Sequence, residues 1–286
     1  MVTPPVTILQ MSDLHFGRDA DLAQVAGLEA LAREVRPTVV AIAGDLTQRA
    51  RHGEFQRALL FVQAMREVAP TLVVPGNHDV QWWTTPFDLV GAGPKYEKYR
   101  RYFGEDLTPK LVVDGAVLCG ALTSYGVVAG SMTYNPNDMA VKGHLPASET
   151  ERVAARFQAE SPDLLRVMVM HQNLLRGEIS ERMGLAHWRR AWRQVMATGV
   201  DLVLCGHDHQ EGAGALPNGA VVATSGTHTS RTRGGRPSAC NLITADAETI
   251  TVEHRVWDVA AGRFTTGAAQ AFARPRLATT ESARDW

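Results

Sequence analysis

The stretch Val74-Pro75-Gly76-Asn77-His78-Asp79 carries an apolar run into a Pro-Gly turn and then presents an amide, an imidazole and a carboxylate in succession. Alone it is ordinary turn chemistry, because Pro-Gly and Gly-Asn mark loops wherever strands end. Whether it means more depends on how the other strands end. Upstream, Val6 to Met11 is a short apolar run that stops at Ser12-Asp13-Leu14-His15, and Val39 to Ala43 is another that stops at Gly44-Asp45. Leu72 to Val74 is the third strand. Between them, Leu22 to Val35 places Leu22, Val25 and Leu28 on one helical face before Pro37 ends it, and Glu54 to Val68 repeats Phe55, Ala58, Leu59, Val62 and Met65 every three or four residues. This β-α-β-α-β rhythm predicts a largely parallel sheet, whose ligands gather beyond the C-terminal strand ends.

Downstream, Lys95 to Phe103 reads as a helix, and Leu111 to Val113 with Ala116 to Ala121 as a hairpin turning at Asp114-Gly115. Residues 123–143 are a long irregular segment of the kind that serves as a functional lid or is disordered. A helix runs from Leu145-Pro146-Ala147-Ser148 to Ala159, the strand Leu164 to Met170 stops at His171, and after a helix over His187 to Met196 the strand Asp201 to Cys205 stops at Gly206-His207-Asp208-His209. Short strands then follow at 214–216, 220–223, 240–244 and 249–257, as an antiparallel second sheet or a mixed extension of the first. Residues 1–263 read as one domain, and 264–286, rich in Ala, Thr and Arg without periodicity, as a loosely attached tail.

Five strand ends thus carry Asp13 and His15; Asp45; Asn77, His78 and Asp79; His171; and His207 and His209. Any single one of these is most simply a satisfied core or turn residue. Five such blocks, each after an apolar run, point instead to one site at a sheet edge. Asp-x-His and His-x-His place two side chains on the same side of an extended segment. Carboxylate, imidazole and amide donors suit Mn, Fe, Zn, Co or Ni, and no cysteine is placed to make a soft site.

In this order and spacing, Asp13-x-His15, Gly44-Asp45, Gly76-Asn77-His78-Asp79, His171 and Gly206-His207-x-His209 resemble the signature of the calcineurin-like metallophosphoesterases over residues 6–210. That resemblance implies an α/β fold of four layers, an α/β/β/α sandwich of two mixed sheets flanked by helices, around two divalent transition metals, Mn and/or Fe, with Zn, Co or Ni as alternatives. It assigns Asp13, His15 and His209 to the first metal, Asn77, His171 and His207 to the second, and Asp45 as the bridging carboxylate. It makes His78 the residue that assists the leaving group, with Asp79 orienting it. Two such ions, about 3.5–4 Å apart, lower the pKa of a shared water and clamp the phosphoryl oxygens for in-line attack.

The wording around Asp13 and Asp45 is similar to the bacterial class III cyclic-nucleotide phosphodiesterase branch. The expected activity is therefore hydrolysis of a 3',5'-cyclic nucleotide or another small phosphodiester. A phosphomonoesterase, a nucleotide-sugar or lipid pyrophosphatase, and a non-catalytic scaffold are the alternatives. One departure is His171-Gln172-Asn173-Leu174, where many phosphodiesterases continue with His or Asn and then Pro. Trp82 and Trp83 follow the central motif and either stack a nucleobase, face an acyl chain, or pack the loop against the core or the partner of a homodimer. Arg49, with Arg18 and Arg51, lies past a metal-bearing strand end, within reach of a phosphate or merely solvated. His228, in Ser225-Gly226-Thr227-His228, is a candidate to reach the site from the second sheet.

Composition excludes several other classes. With 286 residues and 45% hydrophobic content the chain can bury a substantial core. Its 29 basic and 30 acidic residues leave a net charge of −1 with no long run of one sign, so no nucleic-acid polymer or membrane-surface tract is indicated. Cys119, Cys205 and Cys240 lack C-x-x-C spacing and read as core thiols of a reducing compartment. The start Met1-Val2-Thr3-Pro4-Pro5 carries no secretory pattern and no apolar segment is long enough to span a bilayer, which makes a cytoplasmic location the expectation.

Overall fold

Strands β1 (Val6–Met11), β2 (Val39–Ala43) and β3 (Thr71–Val74) pair in parallel and are joined by helices α1 (Leu22–Val35) and α2 (His52–Val68). The computed structural model describes residues 5–18, 20–81, 94–126, 142–230 and 232–275. Helix α1 starts where the Asp21 carboxylate accepts hydrogen bonds from the Ala23 and Gln24 N–H groups, and stops at Arg36 in the left-handed region, φ 45°, just before Pro37. Helix α2 starts where the Glu54 carboxylate turns back to accept from the Arg49 and Arg51 N–H groups.

Next come α3 (Glu97–Phe103), the hairpin of β4 (Lys110–Val113) and β5 (Ala116–Gly120), α4 (Ala147–Gln158), β6 (Leu165–Val169), α5 (Trp188–Met196) and β7 (Leu202–Cys205). The remaining strands are β8 (Gly212–Ala215), β9 (Val221–Thr224), β10 (Ala239–Ala245), β11 (Thr249–Asp258) and β12 (Arg263–Ala273). They divide between two mixed six-stranded sheets, ordered β12-β11-β10-β1-β2-β3 and β4-β5-β6-β7-β9-β8. The C-terminal strands, expected to share one antiparallel sheet or to extend only the first, therefore extend both.

The layers follow from burial. Ile8, Val39, Ala41, Val167, Leu204 and Ile243 face one another between the sheets. Leu28, Phe55, Val62 and Tyr99 seat α1, α2 and α3 on the outer face of the first sheet, and Val153, Phe157, Ala191 and Val195 seat α4 and α5 on that of the second. Each helix buries one stripe, and the strands β2, β5, β6, β7 and β9 are buried on both faces, as their near-continuous apolar runs require. The result is the expected α/β/β/α sandwich. No helix among the described residues is long and apolar enough to cross a membrane.

Residues 264–273 depart from the loose tail expected of them, because β12 pairs antiparallel with β11 from Asp258↔Arg263 to Thr249↔Ala273. Phe264 packs edge-on against Trp257 with ring centroids 5.1 Å apart, and the Arg274 guanidinium donates to the Asp201 carboxylate and to the Asp163 and Leu164 carbonyls. The strand lies at the sheet edge with most of its side chains exposed, so its sequence carries no apolar alternation. Residues 276–286 of the expected tail lie outside the described residues.

Candidate metal centre

The ends of β1, β2, β3, β6 and β7 deliver the polar groups to one edge of the sandwich. Asp13 (φ 54°), His15 (45°), Asp45 (53°), His207 (76°) and His209 (58°) all hold left-handed backbone conformations, which non-glycine residues adopt rarely and at a cost. The turns are bound to one another: the Asp13 N–H donates to the Gly44 carbonyl and the His15 N–H to the Asp45 carbonyl, each at 3.0 Å. Two glycines allow this crowding. A Cβ at Gly76 would lie 2.1 Å from Asp45 Oδ1, and one at Gly206 2.5 Å from Asp13 Oδ2.

Two groups of donor atoms share Asp45. In the first, His15 Nε2 and His209 Nε2 are 3.0 Å apart, and Asp13 Oδ1 lies 3.3 Å from His209 Nε2. Asp45 Oδ2 approaches His15 Nε2 at 3.7 Å. Asp13 Oδ1 is buried without a hydrogen-bond donor, which a cation among these four residues would satisfy. In the second, Asn77 Oδ1 lies 3.0 Å from both His171 Nε2 and His207 Nδ1, and Asp45 Oδ2 is 3.2 Å from His171 Nε2.

His171 shows why this second group also asks for a cation. Its Nδ1 lies 2.8 Å from the Ala43 carbonyl, which only accepts, so Nδ1 carries the proton. The Nε2 lone pair of the neutral ring then faces two oxygens, an arrangement that needs either a second proton or a metal ion. Burial disfavours the charged ring, but Asp45 outweighs it and raises His171 to about 9. His207, buried and beside the charge of His171, is pushed down to about 3. Burial works against ionisation of Asp13 and Asp45 as well. The close approach of the His15 and His209 rings overcomes it at Asp13, and the charges of His171 and His78 at Asp45, so both carboxyls stay below the usual range.

His78 lines the cleft in front of these groups, its N–H donating to Asp45 Oδ1 at 2.8 Å and its Nδ1 lying 2.8 Å from the Gln48 carbonyl. The residue that orients the imidazole is therefore Gln48, through its carbonyl. Asp79, expected in that role, is fully buried and accepts from the Leu46, Thr47 and Gly76 N–H groups and the Thr47 hydroxyl, bracing the turns that carry Asp45 and Asn77. A backbone carbonyl leaves no mark in a motif, whereas a carboxylate next to a histidine draws attention to itself.

His228 is buried behind the centre: its N–H donates to the Asp13 carbonyl, its ring meets Phe264 edge-on, and neither ring nitrogen has a hydrogen-bond partner. Arg49 is exposed and does not line the cleft. Trp82 and Trp83 lie outside the described residues, as do residues 127–141 of the long segment. The cleft, about 190 Å³, is also lined by Lys142, Asn173, Arg182 and Arg233, which sequence reasoning missed. They are single basic or amide residues in irregular loops, and no spacing singles them out.

The fold is shared with solved phosphatases. Purple acid phosphatase PPD1 from yellow lupin (Lupinus luteus) seeds aligns with a TM-score of 0.64 at 13% identity, covering 95% of this chain and 54% of that one, so the present chain spans about half the length of the lupin protein. A dimetal phosphatase from Danio rerio aligns at 0.62 and 14% identity over 92% of this chain and 98% of its own, and PhoD at 0.65 and 11% over 96% and 71%. No curated protein matches the sequence. The description calcineurin-like phosphoesterase matches residues 6–211, the span that carries all five strand-end blocks, and the chain belongs to that family.

Proposed function

We propose that this protein is a two-metal phosphodiesterase acting on a small phosphodiester, with 3',5'-cyclic nucleotides among the first candidates. The observation that carries this reading is that six side chains fall into two groups around one Asp45 oxygen. Asp13, His15 and His209 would hold one ion, Asn77, His171 and His207 the other, and Asp45 both. The N/O donor set fits Mn and/or Fe, with Zn, Co or Ni also accommodated. When bound, two such ions supply an activated water and polarise the phosphoryl oxygens.

The chain's own residues do the rest. Asp45 would offset the repulsion between two bound cations, and its Oδ1 holds the His78 N–H so that the imidazole faces the cleft. Because His78 Nδ1 is committed to the Gln48 carbonyl, Nε2 faces the substrate, and only the doubly protonated ring can give a proton from it to the departing oxygen. Asp79 keeps the two turns in register. Cys119, Cys205 and Cys240 are buried free thiols, each raised by burial, to about 11 for the first and about 12 for the others, and such unreactive thiols fit a reducing, cytoplasmic setting.

The test is a hydrolysis panel of cyclic nucleotides, dinucleotides, monoesters and pyrophosphates with Mn added, run beside Asp45→Ala and Asn77→Ala. Diester hydrolysis lost in both variants supports the reading. Diesterase activity retained in either, or hydrolysis of monoesters alone, overturns it.

A further inference from the structure

The mouth of the cleft carries more positive charge than one phosphodiester needs. Two divalent ions, if bound, less the charges of Asp13 and Asp45 would leave a surplus that a monoanionic diester and an activated water already meet. Beyond them the described residues of the cleft wall include the cations Lys142, Arg182 and Arg233 and the carboxylate of Asp208. The whole chain has a net charge of −1, so this concentration is local.

These cations sit on a built platform. Residues 142–144 and 184–186 pair as a short bridge, Gly143 N–H to the Gly184 carbonyl and Ala186 N–H to the Gly143 carbonyl, each at 2.9 Å. The bridge lies directly on the loop after His171: a Cβ at Gly184 would meet Asn173 Oδ1, and one at Gly143 the Gln172 side chain. The carbonyl of Arg182 accepts from Gly177 N–H at 3.0 Å, and its own N–H donates to the Ser180 hydroxyl at 3.2 Å. Its backbone is thus fixed while its guanidinium makes no hydrogen bond or ion pair with the described residues. Across the cleft, Arg233 lies 3.8 Å from Asp208 Oδ1, and Asp208 stands between the ligand candidates His207 and His209.

We infer that the cleft selects phosphoesters bearing a second phosphate group, held by Arg182 and Arg233 together with Lys142 beside the scissile diester. This rests on the phosphodiesterase reading above. A guanidinium matches a phosphate with paired N–H donors. Linear nucleotides with a terminal phosphate carry that pattern, whereas a 3',5'-cyclic mononucleotide does not.

The experiment compares kcat/KM of the metal-replete protein for the dinucleotide d(TpT) and for the same dinucleotide with a 5'-phosphate. The inference predicts a preference of about tenfold or more for the phosphorylated form, the size of one charge-assisted hydrogen bond. Arg182→Ala and Arg233→Ala should each bring the ratio toward unity, and because both substrates are read on the same preparation, a general loss of activity cancels. In the unaltered protein the ratio should also fall as salt is raised from about 50 to about 500 mM. A ratio near unity in the unaltered protein, or one unchanged in both variants, overturns the inference and leaves the phosphodiesterase reading standing. Hydrolysis of neither dinucleotide overturns the inference, and it overturns the phosphodiesterase reading as well only when cyclic nucleotides are also left intact.

Discussion

Gly76→Ala probes the shared carboxylate without touching a ligand. The added Cβ would stand 2.1 Å from Asp45 Oδ1 and 2.2 Å from the Asp45 backbone nitrogen, more than 1 Å inside the roughly 3.4 Å of ordinary contact. Neither side can easily give way. Asp45 Oδ1 holds the His78 N–H at 2.8 Å, and Asp79 Oδ2 holds the Gly76 N–H at 2.9 Å. Relief requires one of the two turns to withdraw, which breaks at least one of these charge-assisted bonds, worth about 1.5–3 kcal/mol, on top of about 1–3 kcal/mol for overpacking. A total near 4 kcal/mol corresponds to a fall of roughly 10 °C in Tm for a domain of this size. Withdrawal also carries Asp45 away from His15 and His171, so metal uptake should fall with stability. Scanning fluorimetry with and without Mn, together with elemental analysis after desalting, reads both effects. A variant that melts within about 2 °C of the unaltered protein and still retains two ions per chain would refute the account of the Gly76 turn.

Three further outcomes follow from named contacts. His78→Ala should lower kcat by roughly 10²–10⁴-fold on diesters with poor leaving groups, and far less on bis(p-nitrophenyl) phosphate, whose nitrophenolate departs unprotonated; equal losses in steady-state assays of the two would deny His78 the donor role. His228 is held neutral in the fold, its buried ring lowered to about 4, while in the unfolded chain it titrates at its ordinary value of about 6.5. The unfolded state therefore binds the extra proton between those values, and stability falls as pH falls through that window by roughly 3 kcal/mol, with no further change from this group below it. His228→Phe, which keeps the contact with Phe264, should flatten that part of a urea-denaturation pH series, and an unchanged slope would assign the acid sensitivity elsewhere. Arg274→Ala leaves Asp201, whose side chain is 6% exposed, without its guanidinium partner and should cost about 3 kcal/mol in equilibrium unfolding, whereas an unaffected midpoint would mean that β12 is held by its ladder alone.

What the sequence disclosed and what it hid divide along a physical line. Asp13, Asp45, His171 and His207 follow runs of buried Val, Ile, Leu and Met, so hydrophobic periodicity located both the strands and the polar groups at their ends. The hairpin at Asp114-Gly115 was legible for the same local reason, since Gly115 takes the left-handed conformation its turn requires. Strand β12 was not, because it gains its place from a ladder with β11, and its exposed Ala and Thr side chains carry no pattern. The orienting partner of His78 is a main-chain carbonyl, invisible at the level of residue type. Lys142, Arg182 and Arg233 are far apart in sequence and meet at the cleft only through the glycine-seated bridge and the loop after β9. Adjacency of Asp79 to His78 in sequence suggests a contact that the chain does not make, since the Asp79 carboxylate accepts from the Leu46, Thr47 and Gly76 N–H groups instead.

On the proposed reading one oxygen of Asp45 would serve two metal ions. Electron paramagnetic resonance of the Mn-loaded protein tests it most directly, since ions about 3.5–4 Å apart across a shared carboxylate are exchange-coupled. The account predicts two Mn per chain with a coupled spectrum that Asp45→Ala abolishes. A spectrum of isolated Mn ions in the unaltered protein, or coupling that survives Asp45→Ala, would contradict it.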